Sequence, residues 1–154
     1  MKEDCGVPSL FLVEDFVNES KNVTYYDKFP EKPVHINLSE PYDPELKKEI
    51  IEACKELEID LIKDVIYVNS PGPRLETKAE IRNKYSKLGD IIGMTGAMEA
   101  ILANEKEIPV ASIGMGANMA EGLGAKAEFE EIKKNSEKMQ EKVYNIIKSV
   151  LKSL

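Results

Sequence analysis

Short apolar runs alternate with amphipathic stretches along this chain. Residues 10–13 (Leu-Phe-Leu-Val) form the first run, with Asp15 just beyond it, and residues 65–68 (Val-Ile-Tyr-Val) form a β-branched and aromatic one. Residues 90–94 and 110–114 are similar, each closing on or near glycine. Runs this short, bounded by turn residues, predict buried strands. Between them the apolar period lengthens. Asp43-Pro44-Glu45 combines a capping side chain, proline at the first helical position and an acid in the first turn, a helix start. Ile50, Ile51, Cys54 and Leu57 then mark one helical face. Residues 77–88 predict a second helix stopped by Gly89, and residues 97–104 a third. Residues 126–154 predict a long terminal helix with Phe129, Ile132, Met139, Val143, Ile146, Ile147 and Val150 on its apolar side. Residues 18–43, polar and punctuated by Pro30, Pro33 and Pro41, read as a long connection, a kind of segment that often carries function. Strands alternating with helices indicate an α/β sheet covered on both faces.

The chain has 154 residues, 42% of them hydrophobic, enough for one domain with a core. Its net charge of −7, with acids and bases interspersed, argues against a nucleic-acid partner, which needs a basic face. No apolar run reaches the ~18 residues of a membrane span, and no signal-peptide core precedes the first strand. Cys5 and Cys54 have neither metal-site nor disulfide-framework spacing, as expected of a reduced, cytoplasmic protein without a metal.

Three segments concentrate the candidate chemistry: Asn69-Ser-Pro-Gly-Pro-Arg-Leu-Glu-Thr77, Gly93-Met-Thr-Gly-Ala-Met-Glu99 and Gly116-Ala-Asn-Met-Ala-Glu-Gly122. Each falls where a strand is expected to end, and open α/β sheets bind ligands at the carboxyl ends of their strands. Together they offer a carboxylate (Glu76), a hydroxyl (Thr95), an amide (Asn118) and an apolar wall (Leu75, Met94, Met119). That set suits a flat heterocycle joined to a sugar. Each residue has an ordinary structural role beside the functional one: Glu76 as a first-turn acid, Asn118 as a turn residue, Leu75 and Met94 as core. Other chemistries lack their motifs. After Gly114-x-Gly116 the third glycine of a dinucleotide loop falls at Met119. There is no Gly-Lys-Ser/Thr, and the lone His35 has no Gly-x-Ser-x-Gly to serve. The residues by themselves define a pocket whose ligand is open.

The same segments resemble the trimeric purine nucleoside phosphorylase and methylthioadenosine (methylthioinosine) phosphorylase family. Leu10-Phe-Leu-Val-Glu-Asp-Phe-Val-Asn18, Thr24-Tyr-Tyr-Asp27, His35-Ile-Asn-Leu-Ser-Glu-Pro-Tyr42, Gly72-Pro-Arg-Leu-Glu-Thr77, Gly93-Met-Thr-Gly-Ala-Met-Glu99 and Asn118-Met-Ala-Glu-Gly122 are similar to its motifs, in order. The resemblance implies the later half of a phosphorylase-type mixed sheet flanked by helices, with the N-terminal strands missing, as a single partial domain over residues 1–154. It implies phosphorolysis: phosphate, a co-substrate rather than a cofactor, attacks C1′ of a nucleoside and the purine leaves. Carried over by position, Asn118 would face O6 and N7 of the base and Glu76 would accept from N1–H, together favouring 6-oxopurines. Leu75 would stand beside the base in place of the family's Phe. Met94 would lie against the ribose and Thr95 would donate to phosphate. His35 would reach a neighbouring subunit's ribose end, and Phe129 would take the place of a His at the 5′ position, suiting a 5′-methylthio group.

The departures set further expectations. The family's Gly-Gly-Ser/Thr-Gly phosphate loop, its Arg-His pair and its Gly-Ser turn do not occur among the 154 residues, Lys2-Glu3-Asp4 aligns just after that turn, and Met98 replaces a Pro. The partners implied are a purine nucleoside, phosphate, and either further copies of this chain or a separately encoded N-terminal half. The alternative is an inactive remnant that binds purine weakly or serves as an interaction module.

Overall fold

The computed structural model describes residues 6–21, 23–26, 35–124 and 128–153. Lys2-Glu3-Asp4, Cys5, Asp27, Pro30 and Pro33, singled out above, lie outside them. The elements are β1 (Ser9–Asn18), α1 (Pro44–Glu56), β2 (Ile62–Asn69), α2 (Lys78–Asn83), β3 (Ile91–Gly93), α3 (Gly96–Glu105), β4 (Ile113–Gly116) and α4 (Phe129–Ser153). Local chemistry explains the clearest boundaries. Asp43 accepts from the Leu46 amide at 2.8 Å and Pro44 opens α1, a cap worth ~1 kcal/mol. At α2, Thr77 and Glu80 cap each other's backbone amides, at 3.2 and 2.8 Å, a reciprocal box that satisfies two otherwise orphaned donors.

The strands lie in the order β3-β2-β1-β4. β1 runs parallel to β2, with Val13 opposite Val65 and Asn18 opposite Asn69, and β2 runs parallel to β3. β4 is antiparallel to β1, pairing Ser9 with Gly116 and Leu12 with Ile113. Register shifts on either side of Val13 bend β1, as bulges do, and the sheet curls strongly. Its two edges meet: a Cβ on Gly114 of β4 would lie 3.0 Å from Ile91 Cδ1 of β3.

Helices α1 and α4 bury one apolar face against β1, joining Leu10 and Leu12 to Ile50, Ala53, Cys54, Met139, Ile146 and Val150. A second cluster joins Val13, Tyr42 and Ala100, and a third joins Val68, Ile81 and Tyr85. Val65, Val68 and Ile146 are wholly excluded from solvent, each contributing about 1.5–3 kcal/mol of burial. Phe16 meets Tyr42 edge-on, ring centroids 6.3 Å apart, the arrangement aromatic quadrupoles favour.

Four expectations are corrected. The last strand is Ile113–Gly116 rather than residues 110–114, because pairing with β1 sets its limits. The Val110 and Ser112 carbonyls instead accept from Asp43 N and Val13 N. The helix expected over 77–88 breaks at Lys84 (φ −124°, ψ −73°) and resumes as a 3-10 turn at Tyr85–Lys87. On α4, Phe129 and Ile147 are exposed, and the buried face carries Asn135 in line with Met139, Ile146 and Val150. The antiparallel β4 also means that only β2 and β3 deliver their site segments from the same end of the sheet. No helix among the described residues is long and apolar enough to cross a membrane.

Candidate functional site

Gly72 begins the first wall. Its φ is +54°, and a Cβ there would lie 2.7 Å from Met94 Sδ. A side chain would therefore meet both backbone strain and a steric block. The chain continues through Arg74, whose guanidinium grips both carboxylate oxygens of Glu80 at 2.8 and 2.7 Å. That contact, with the Thr77 amide, holds the Glu80 carboxyl down at about 2. Glu80 is thus the first-turn acid of α2, and Glu76 stands one residue before the N-cap Thr77. Glu76, half-buried, accepts from the buried Ser70 hydroxyl at 2.5 Å through Oε1. Ser70 is held in turn by its own amide, which donates to the Gly93 carbonyl at 2.7 Å.

The second wall is the corner between β3 and α3. Asn69 closes β2 at 0% exposure. Its Nδ2 donates to the Met94 carbonyl at 3.1 Å and to Ser20 Oγ at 3.0 Å, and its Oδ1 accepts from Ala97 N at 3.2 Å. The Tyr67 hydroxyl accepts from Thr95 N and Gly96 N, both at 3.3 Å. Burial pushes the Tyr67 phenol above its ordinary value, so it stays neutral. These side chains satisfy the first amides of α3, a task that usually falls to the N-cap side chain. The N-cap here is Thr95, and its hydroxyl makes no capping bond. Thr95 is exposed, and that hydroxyl is available to a ligand.

The third wall is the loop after β4. Asn118 is half-buried and donates one amide hydrogen to the Met119 carbonyl at 3.0 Å. An amide carries a second hydrogen and an acceptor oxygen. The loop is pinned at both ends. Asn135 of α4 donates to the Ala117 carbonyl at 2.9 Å, and Ala120 and Leu123 pack on the Val68–Ile81–Tyr85 cluster.

Because the sheet curls, these walls face one cavity of about 370 Å³, although the third comes from the opposite end of the sheet. Leu75, Glu76, Met94, Thr95 and Asn118 all line it, with Tyr67 and Phe11 on its floor. Leu75 is 58% exposed and forms the rim. Two candidates are elsewhere: His35 is exposed and Phe129 is 75% exposed at the start of α4, and neither lines this cavity. Sequence reasoning passed over Tyr67, Asn69, Ser70 and Asn135. Their signal was faint: polar groups closing an apolar strand run, and one carboxamide on an apolar helix stripe. Among the described residues no cluster of three or more His, Cys, Asp or Glu could hold a metal ion.

Residues 1–152 match the family model described as the phosphorylase superfamily. The chain is 41% identical over 116 residues to a probable S-methyl-5′-thioinosine phosphorylase of Methanopyrus kandleri, covering 74% of this chain and 44% of that protein. It is 36% identical over 157 residues to the 6-oxopurine nucleoside phosphorylase of Pyrococcus furiosus, covering 96% and 58%. Among solved structures, a Schistosoma purine nucleoside phosphorylase in complex with hypoxanthine superposes with a TM-score of 0.81 at 19% identity, over 98% of this chain and 57% of that one. The fold is shared. The chain spans about half the length of the curated relatives it matches.

Proposed function

This chain belongs to the phosphorylase superfamily, and from that premise we propose that it forms the base- and ribose-recognising part of a purine nucleoside phosphorylase acting on 6-oxopurine nucleosides, 5′-methylthioinosine among them. The observation that carries the reading is the convergence of Glu76 and Asn118 on one cavity walled by Met94 and Leu75. Names of relatives point the same way.

In phosphorolysis the C1′–N9 bond breaks and its electron pair stays with the purine, while phosphate oxygen bonds to C1′. Charge develops on the departing base, so fixed donors and acceptors at its edge lower the barrier. Asn118 supplies an N–H towards N7 and O6. Glu76, oriented by Ser70 at 2.5 Å, keeps Oε2 to accept from N1–H. Adenine presents an amino group in place of O6 and no N1–H, leaving these groups mismatched at about 1–3 kcal/mol each, a preference of roughly 5- to 150-fold per group. Met94 packs on the ribose and Thr95 offers its hydroxyl to phosphate. One hydroxyl does not neutralise a phosphate dianion, so the remaining phosphate ligands come from a further segment or another chain.

Titration calorimetry of this chain with hypoxanthine and with adenine tests the base site. Hypoxanthine is expected to bind tighter, and Glu76→Ala to narrow the difference to the share that Asn118 contributes. Equal affinities, or adenine preferred, would overturn the reading. Phosphate-dependent release of hypoxanthine from inosine is expected only when the missing phosphate ligands are supplied; release by this chain alone would show that the division proposed here is wrong.

A further inference from the structure

The buried stripe of α4 contains a residue that burial does not explain. Asn135, Met139, Ile146 and Val150 share one helical face, and Asn135 is only 8% exposed. A carboxamide there costs stability unless its hydrogen bonds are made. Its Nδ2 donates at 2.9 Å to the carbonyl of Ala117, the residue before Asn118. Ala117 itself packs against the cluster that contains Met139. The far end of the same loop rests on Val68, Ile81 and Tyr85 through Ala120 and Leu123. Asn118 and Met119 are thus suspended between two anchors, one polar and one apolar. The polar anchor adjoins Asn118 and fixes the peptide plane from which its side chain departs.

We infer that Asn135 is the positioning residue for base selection: by holding the Ala117 carbonyl it sets the direction in which the Asn118 amide meets the purine edge. The inference rests on the proposed base-binding role of the cavity and adds a determinant from outside its lining. Asn135 touches no ligand. A misdirected Asn118 loses the hydrogen bonds to O6 and N7 yet leaves the apolar walls in place, so hypoxanthine binding weakens more than adenine binding does.

The test uses the whole chain as wild type, Asn135→Ala and Asn135→Asp, titrated with hypoxanthine and adenine, with amide hydrogen exchange over residues 117–123 followed in parallel. Asn135→Ala is expected to lower the hypoxanthine-to-adenine preference at least fivefold and to speed exchange in the loop, with α1 and β1 protected as before. Asn135→Asp covers the case in which the alanine variant fails to fold. A carboxyl buried against a carbonyl keeps its proton above the usual carboxylate range, and the protonated form can donate as the amide does. Its preference should therefore approach wild type near pH 5 and fall as pH rises to 8, while wild type stays level. That pH dependence separates a positioning hydrogen bond from simple space-filling. A wild-type chain that discriminates while both variants keep its preference at every pH overturns the inference and leaves the base site standing. A wild-type chain that binds neither purine overturns both.

Discussion

Truncating Asn69 to alanine should destabilise the chain by about 3 kcal/mol. Asn69 is wholly buried and joins β1's end, β3's end and α3's first turn through Ser20, Met94 and Ala97. The Ala97 amide belongs to a residue of 0% exposure, so losing its acceptor strands a buried donor at about 1–3 kcal/mol. The Met94 carbonyl is part-buried and can partly rehydrate, a loss of about 0.5–1.5 kcal/mol. Ser20 is half-buried, and the freed hydroxyl should find water at little cost. The vacated volume adds a cavity contribution of the order seen when buried side chains are shortened. With a urea m-value of about 2 kcal/mol/M, the unfolding midpoint should drop by about 1.5 M. Ser20→Ala, removing this contact and the hydroxyl's own part-buried bond to Asn18 Oδ1 at 2.7 Å, should shift it far less. Hydrogen exchange should localise the loss to the start of α3. A midpoint shift below about 0.3 M for Asn69→Ala, or equal shifts for the two variants, would refute the assignment of Asn69 as the bracket of this corner.

Asn118→Asp should move base preference towards adenine, because a carboxylate accepts from the 6-amino group that the amide meets poorly; an unchanged inosine-to-adenosine or hypoxanthine-to-adenine ratio would return Asn118 to a loop-shaping role. Gly72→Ala should destabilise by more than ~1 kcal/mol, since positive φ and the Met94 sulfur 2.7 Å from the added carbon both oppose it; a midpoint within ~0.2 M of wild type by urea unfolding would contradict this. Glu80 has its folded-state pKa lowered from 4.5 to about 2, first by Arg74 and then by the Thr77 amide. A depressed carboxylate contributes stability that is complete above about pH 4.5 and is lost as pH falls to about 2. The stability difference between wild type and Glu80→Gln should therefore be flat above pH 5 and shrink below it, and a difference growing on acidification would reverse the sign of the argument.

The parts of this molecule legible in the sequence are those whose cause is local. Asp43 and Pro44 start α1 through groups three residues apart, and the apolar runs at residues 10–13 and 65–68 form strands as expected. The pocket's lining was legible for the same reason, since Glu76, Met94, Thr95 and Asn118 stand beside glycines and prolines that break strands. What escaped is non-local. The limits and direction of β4 depend on β1, about a hundred positions earlier in the chain. The break at Lys84 interrupts an otherwise continuous helical period. Phe129 continues the apolar stripe of α4 in sequence yet lies exposed at the helix's first position. Asn69, Ser70 and Asn135 act on residues 6 to 49 positions away, and a single polar letter in an apolar run does not say which carbonyl it serves.

The loop after β4 has a polar support of its own in Asn135, separate from the Asn69 and Tyr67 hydrogen bonds that hold the corner carrying Met94 and Thr95. Heredity can therefore treat it as an exchangeable cassette. On the proposed reading, substitutions within residues 117–123 would retune which purine is accepted while the corner proposed to face the sugar, bracketed by Asn69 and Tyr67, keeps its shape. A lineage could then pass from one nucleobase to another by short steps without first dismantling the machinery for the sugar.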